Sequence, residues 1–414
     1  MAMTRQHATE HVPVLDGVRG LAVLMVVACH LLGPMPQAGL LSTTTSHLAA
    51  YGALGVDVFF VLSGYLITGI LLRSRNDPRY YRNFYARRVL RIFPLYYATL
   101  LLLLVIAPGV SLHARSELAQ TVSHQGWAWL YAVNFFRLFH PSADLPYLGH
   151  FWSLAVEEHF YLIWPLVVRR LSTRALGWAC LIASIASCVG RLVAPLTGMA
   201  QVAIDSITPL HVDTLCLGAL LALWKFQDRP RRSMALAAAI TAGATLAVAA
   251  GTLLAQRAYP SMTELARTIR GNDFRLIIWA AFAGLLVSRE RSLPRRLFSN
   301  GGLRFFGRYS YAIYVFHAIL GLAVFRAHGI EAVTARIGSP VLATALIAGV
   351  VTLVSVLLAM VSYRFLESPF LALKAAFMPS APAGAGVPPR LDWPLPVPAG
   401  APAPLGAADE GPTL

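Results

Sequence analysis

V-L-D-G-V-R-G-L-A-V-L-M-V-V-A-C-H-L-L, residues Val14 to Leu32, is long and apolar enough to cross a bilayer as a helix. It nevertheless carries Asp16, Arg19 and His30. Arg19 and His30 lie eleven residues apart, close to a whole number of helical turns, so their side chains share a face. Asp16 falls within about 60° of that face. At the helical rise, Arg19 and His30 are separated by roughly 16 Å along the axis, about half the hydrocarbon thickness. A cation at one level and an imidazole at another, on one face, suit an elongated ligand.

The rest of the chain repeats this apolar length. Of 414 residues, 57% are hydrophobic and only 13% charged, about half the charged share of soluble domains. The apolar residues fall in runs of about twenty without the alternation of barrel strands, so the fold class is an all-α polytopic membrane protein. About ten spans are predicted, at 14–33, 51–72, 92–108, 151–168, 175–195, 207–224, 234–255, 273–288, 308–326 and 340–366. Arg73, Arg75, Arg79, Arg82, Arg87, Arg88 and Arg91 crowd the link after the second span, which places that link and both termini in the cytoplasm. The later basic clusters agree, except for Arg257, Arg267 and Arg270 on the outer side. The expected localisation is therefore a bacterial-type inner (cytoplasmic) membrane, multi-pass.

Three regions follow: a polar tail at 1–13, a transmembrane domain at 14–374, and a Pro/Ala/Gly-rich tail at 375–414 whose composition predicts disorder. The first span is long and polar-studded, so it is expected to be retained rather than cleaved as a signal peptide. The net charge of +15 sits between apolar spans, which argues for cytoplasmic loops and against nucleic-acid binding. Cys29, Cys180, Cys188 and Cys216 all fall within spans, as buried thiols rather than a disulfide framework or a metal site.

Ionisable groups inside a bilayer are costly and by default functional. Topology gives their depth. His30, Asp57, Glu157 and Glu158 all fall in the outer third, on three different spans, so a cluster of imidazole and carboxyls is expected there. Glu157 shares a helix face with Ser153, Tyr161 and Trp164, which favours it over Glu158. Ser310, Tyr314 and His317 form another polar stripe on the ninth span, with His317 at mid-membrane. On the cytoplasmic side Arg88 and Arg91 share a face at the mouth of the third span, near the depth of Arg19. Arginine clusters anchor phosphates, and an imidazole held by a carboxylate serves as a general base. The pattern predicts phosphates held at one end and chemistry at the other.

These motifs occur in order along the chain: L-D-G-V-R-G with its Arg19–His30 spacing, G-V-D-V-F-F-V-L-S-G-Y with Asp57 and Ser63, and F-Y-A-R-R-V-L-R-I-F-P with Arg88 and Arg91. They continue with F-W-S-L-A-V-E-E-H-F-Y, G-R-Y-S-Y-A-I-Y-V-F-H with Ser310 and His317, and F-L-E-S-P-F with Glu367 and Pro369. Together they resemble the acyltransferase family 3 of integral-membrane carbohydrate O-acyltransferases. The resemblance implies transfer of an acyl group, acetyl in the simplest case, from an acyl-CoA donor substrate to a hydroxyl of a sugar-containing acceptor such as lipopolysaccharide O-antigen, exopolysaccharide or another glycan. No permanently bound cofactor is implied. It implies His30 as catalytic base and Arg19, Arg88 and Arg91 near the CoA phosphates; Glu157 or Asp57 is then the carboxylate expected to orient the His30 ring. Ser63 is a candidate oxyanion donor. His159, in place of the commoner Gln, and His211, where relatives carry Arg, depart from the family pattern. With no esterase-like domain expected after the tenth span, the resemblance implies the stand-alone type. Acylation of a glycosylated small molecule such as a macrolide, or a transporter using the same intramembrane charges, are the alternative readings.

Overall fold

The computed structural model describes residues 12–258 and 263–377. Residues 1–11 and 378–414 of the two predicted tails, and the side chains of Arg257, Arg267 and Arg270, lie outside the described residues. Among the described residues every regular element is helical, as the composition predicts. The long helices are α1 (Pro13–Leu32), α2 (Leu54–Arg73), α3 (Tyr80–Leu101), α4 (Trp152–Arg170), α5 (Thr173–Val193), α6 (Val212–Phe226), α7 (Arg231–Ala258), α8 (Thr263–Val287), α9 (Gly301–Arg326) and α10 (Pro340–Ser362).

Each of these stands where a span was predicted, but among the described residues seven helical stretches are long and apolar enough to cross a membrane by themselves. Helices α4, α6 and α8 are the remainder. Helix α4 carries Glu157, Glu158, Arg169 and Arg170, and α6 has only 15 residues. The physical reasons are the ionisable residues that interrupt α4 and α8 and the shortness of α6, which is strongly apolar and mostly buried by protein from Asp213 to Leu223. Helix α3 also begins earlier than the predicted third span, at Tyr80. Arg82, Arg87, Arg88 and Arg91 therefore ride on a helix rather than in a loop, with the Arg87 Nε donating to the Asn83 carbonyl at 3.0 Å.

Glycines set the distances between the central helices. Helix α1 lies along α9. A Cβ on Gly20 would come within 3.0 Å of the Leu303 carbonyl oxygen, and one on Gly307 equally close to the Asp16 carbonyl oxygen. The same reciprocal contact joins α2 to α6, through Gly64 against Leu215 and Gly218 against Val61. Gly55 of α2 approaches the Ala22 carbonyl of α1 in the same way. In a bilayer, where lipid is as apolar as leucine, such backbone-to-backbone packing is a main source of helix association.

The predicted external segment forms short helices over Leu112–Ser123, Gly126–Trp129 and Val133–Phe139, none of which spans. They cap one end of the bundle. Tyr96 of α3 donates to the Ala128 carbonyl at 2.7 Å, and Asn134 donates to Thr208 Oγ1 at 2.8 Å. The aromatic residues of this segment, including Tyr131 and Phe136, belong to the same apolar core as Val23 and Val26 of α1 and Tyr314 of α9.

Candidate active site

Helices α1, α2, α3, α4 and α9 enclose a cavity with about 780 Å³ of empty space, part of it open to the surroundings. Arg19 enters it from α1, Ser63 from α2, and Arg88 and Arg91 from α3. Ser153, Glu157, Glu158 and Tyr161 line it from α4, and Ser310, Tyr311 and Tyr314 from α9. The three arginines expected to act together therefore do share one chamber. Asp16 lies 3.6 Å from the Arg19 guanidinium, and the Arg88 guanidinium rests 5.0 Å from the centre of the Tyr161 ring. Ser310 closes the α9 side, its hydroxyl donating to the Gly307 carbonyl at 2.9 Å.

The carboxyls are not where depth alone put them. Glu157 accepts hydrogen bonds from Ser63 at 2.7 Å and from Tyr161 at 3.0 Å, within the arginine-lined cavity. Glu158 lines the same cavity. Asp57 lies elsewhere again, accepting from the Arg275 Nε at 3.0 Å. Arg275 also donates to His211 Nδ1 at 3.2 Å and lies 3.9 Å from Asp213, which Arg191 clamps with hydrogen bonds of 2.5 and 3.1 Å. Two arginines and two aspartates thus form a buried, charge-balanced network joining α2, α5, α6 and α8. This corrects the expectation that Asp57 or Glu157 holds His30. Each carboxylate is engaged by other donors, and equal depth does not bring groups to the same side of a helix.

What holds His30 is another imidazole. The His30 Nδ1 and the His317 Nε2 are 2.8 Å apart, with the ring planes inclined by 25° and the centroids 5.1 Å apart, so the two rings meet edge to edge. His317 is fully buried, and its Nδ1 lies 3.0 Å from the Ile313 carbonyl oxygen one turn back on α9. His30 itself is exposed. A third ring, His150, sits 5.6 Å from His317 with its Nε2 3.2 Å from the Val315 carbonyl oxygen. Tyr314 separates this histidine cluster from the cavity. Its hydroxyl is 2.6 Å from Ser153 Oγ and donates to the His150 carbonyl at 2.9 Å.

Sequence reasoning passed over His150, Arg191 and Arg275. His150 immediately precedes the motif that contains Glu157, and Arg275 and Arg191 are intramembrane cations of the kind that signal a function or a partner. Glu367, named by the resemblance, is buried on a π-helical turn (Tyr363–Glu367) and receives the Ser362 hydroxyl at 3.3 Å.

The bundle thus holds an arginine-lined chamber and, beyond Tyr314, a separate cluster of three histidines. The chain belongs to the acyltransferase family 3, whose model, described as an acyltransferase domain, matches residues 12–361. It is similar to the peptidoglycan O-acetyltransferase OatA of Listeria monocytogenes, with 30% identity over 77% of this chain and 50% of that protein. It is also similar to a Bacillus subtilis protein named "Putative peptidoglycan O-acetyltransferase YrhL", with 31% identity over 88% of this chain and 56% of that protein. The chain thus spans about half the length of the curated relatives it matches. No solved structure matches it.

Proposed function

We propose that this chain is a membrane O-acetyltransferase that moves an acetyl group from acetyl-CoA to a hydroxyl of a cell-envelope glycan, with peptidoglycan the first acceptor to test. Its expected setting is the cytoplasmic membrane, with the arginine-rich end inside. The observation that carries the reading is the convergence of Arg19, Arg88 and Arg91 from two helices on one cavity, with the exposed His30 farther along the helix that carries Arg19. Guanidinium groups match phosphate oxygens in charge and in fork geometry, so these three hold the CoA phosphates. The names of the relatives support acetyl as the group and a glycan as the acceptor class.

In this reading His30 takes the proton of the acceptor hydroxyl. The alkoxide oxygen attacks the thioester carbonyl carbon, and the C–S bond breaks. The proton then passes from His30 to the departing thiolate, so the products are the O-acetyl glycan and CoA. General base catalysis of this kind contributes about 10²–10⁴-fold. Glu157 keeps Ser63 and Tyr161 oriented at the cavity wall. Family membership favours transfer over transport for these intramembrane charges.

The test is acetyl transfer from labelled acetyl-CoA in membranes carrying His30→Ala. Loss of transfer with normal insertion and retained CoA binding is expected. Full activity in that variant would sink the mechanism.

A further inference from the structure

The hydrogen bonds around His317 fix where protons sit. A backbone carbonyl oxygen only accepts, so the His317 Nδ1, 3.0 Å from the Ile313 carbonyl oxygen, carries a hydrogen. A neutral imidazole has one N–H, which leaves the His317 Nε2 with a bare lone pair. That lone pair faces the His30 Nδ1 at 2.8 Å, so the His30 Nδ1 is the donor. By the same rule the His30 Nε2 is then bare.

We infer that His317, anchored on the Ile313 carbonyl, is the positioning residue that selects the Nδ1–H tautomer of His30 and turns the lone pair of its Nε2 toward the reacting hydroxyl. The inference deepens the reading of His30 as base and rests on it for its catalytic consequence. The role commonly given to a carboxylate beside a catalytic imidazole is here filled by a buried neutral imidazole and a main-chain carbonyl. When His30 takes the hydroxyl proton at Nε2, its Nδ1–H still points at the His317 lone pair, which stabilises the imidazolium. Burial of His317 against exposure of His30 suits these roles: the outer ring meets the acceptor, and the inner ring is shielded from water that would compete for its lone pair.

Two variants separate this from a packing role. His317→Leu fills the buried space and offers no acceptor. His317→Gln offers an amide oxygen at similar reach. The probes are ¹⁵N ring shifts of histidine-labelled protein in nanodiscs, assigned to His30 by difference with His30→Ala, together with steady-state kinetics on acetyl-CoA. The wild type should show His30 protonated at Nδ1 and bare at Nε2. His317→Leu should lose that preference and lower kcat by roughly 10²-fold, the lower range for a general base, with KM for acetyl-CoA unchanged. His317→Gln should restore the tautomer and bring kcat to within about tenfold of wild type, since an amide oxygen also accepts. A His30 found protonated at Nε2 in the wild type overturns the proposal, as does His317→Leu retaining both the tautomer and kcat. If the tautomer is as stated but His30→Ala still transfers acetyl, the base reading fails while the tautomer assignment is supported.

Discussion

Alanine at Gly307 should cripple transfer, although Gly307 touches no reacting group. Its Cβ would come within 3.0 Å of the Asp16 carbonyl oxygen, where ordinary contact begins at 3.4 Å, and the obstacle is backbone that cannot rotate away. Helix α9 must therefore part from α1 by a good fraction of an ångström, about 1 Å once both chains relax. The two helices so separated carry His30 and His317. A parting of about 1 Å takes their 2.8 Å contact past the 3.2 Å range of a good hydrogen bond. Misplacement on this scale costs on the order of 10²-fold in rate, and the overpacking itself costs about 1–3 kcal/mol of stability. The assay is acetyl transfer per folded molecule, with folded protein counted by size-exclusion chromatography in detergent. Gly349→Ala on α10, where a Cβ meets open space, serves as the control and should match wild type. A Gly307→Ala protein with wild-type kcat would refute the argument that glycine contacts set the geometry of the histidine pair.

Arg88→Ala or Arg91→Ala should weaken CoA binding roughly 10- to 100-fold, the worth of one charge-assisted hydrogen bond of about 1.5–3 kcal/mol. Isothermal titration with CoA reads this directly, and unchanged affinity in both variants would remove the phosphates from the arginine cavity. Arg275→Met leaves Asp57 and Asp213 buried beside one remaining cation, and breaking such a pair costs about 3–5 kcal/mol. Its melting midpoint in detergent should fall well below wild type, with an equal midpoint counting against the network as a support of the bundle.

How much of this was legible follows from what a helix encodes. Periodicity along one helix is local, so the shared face of Arg19 and His30, the pairing of Arg88 with Arg91, and the stripe of Ser310, Tyr314 and His317 are read from spacing alone. Depth is less legible: basic links give each span an expected direction, yet Glu157 and Glu158, read from it as outer-third groups, line one cavity with Arg19, Arg88 and Arg91. Lateral arrangement is not legible. His30 and Asp57 have similar depth, yet Asp57 turns to Arg275 on α8 while His30 turns to His317 on α9. The choice depends on which helices touch, and that is set by small-residue contacts such as Gly20 with Leu303 and Gly64 with Leu215. Helix length is not legible either: hydropathy marks the apolar run 207–224, but the enclosed helix α6 covers only Val212–Phe226.

The glycine contacts also explain how one helix serves both ends of the site. Arg19 and His30 are about 16 Å apart along α1 by helical rise alone, and no side-chain rotation in a packed helix changes that length. Across the helix, Gly20 and Gly307 hold α9 at backbone contact, which fixes His317 against His30 and Ser310 and Tyr314 against the cavity. In the proposed reading, anchoring and base are then two rigidly spaced functions rather than one adaptable pocket. Substitutions at the two ends should then separate kinetically. Arg88→Ala should raise KM for acetyl-CoA while sparing kcat at saturation, because it removes binding common to ground and transition states. His317→Leu should do the reverse. If both variants moved KM and kcat together, the two ends would be one coupled site, and the picture of α1 as a fixed spacer between them would be wrong.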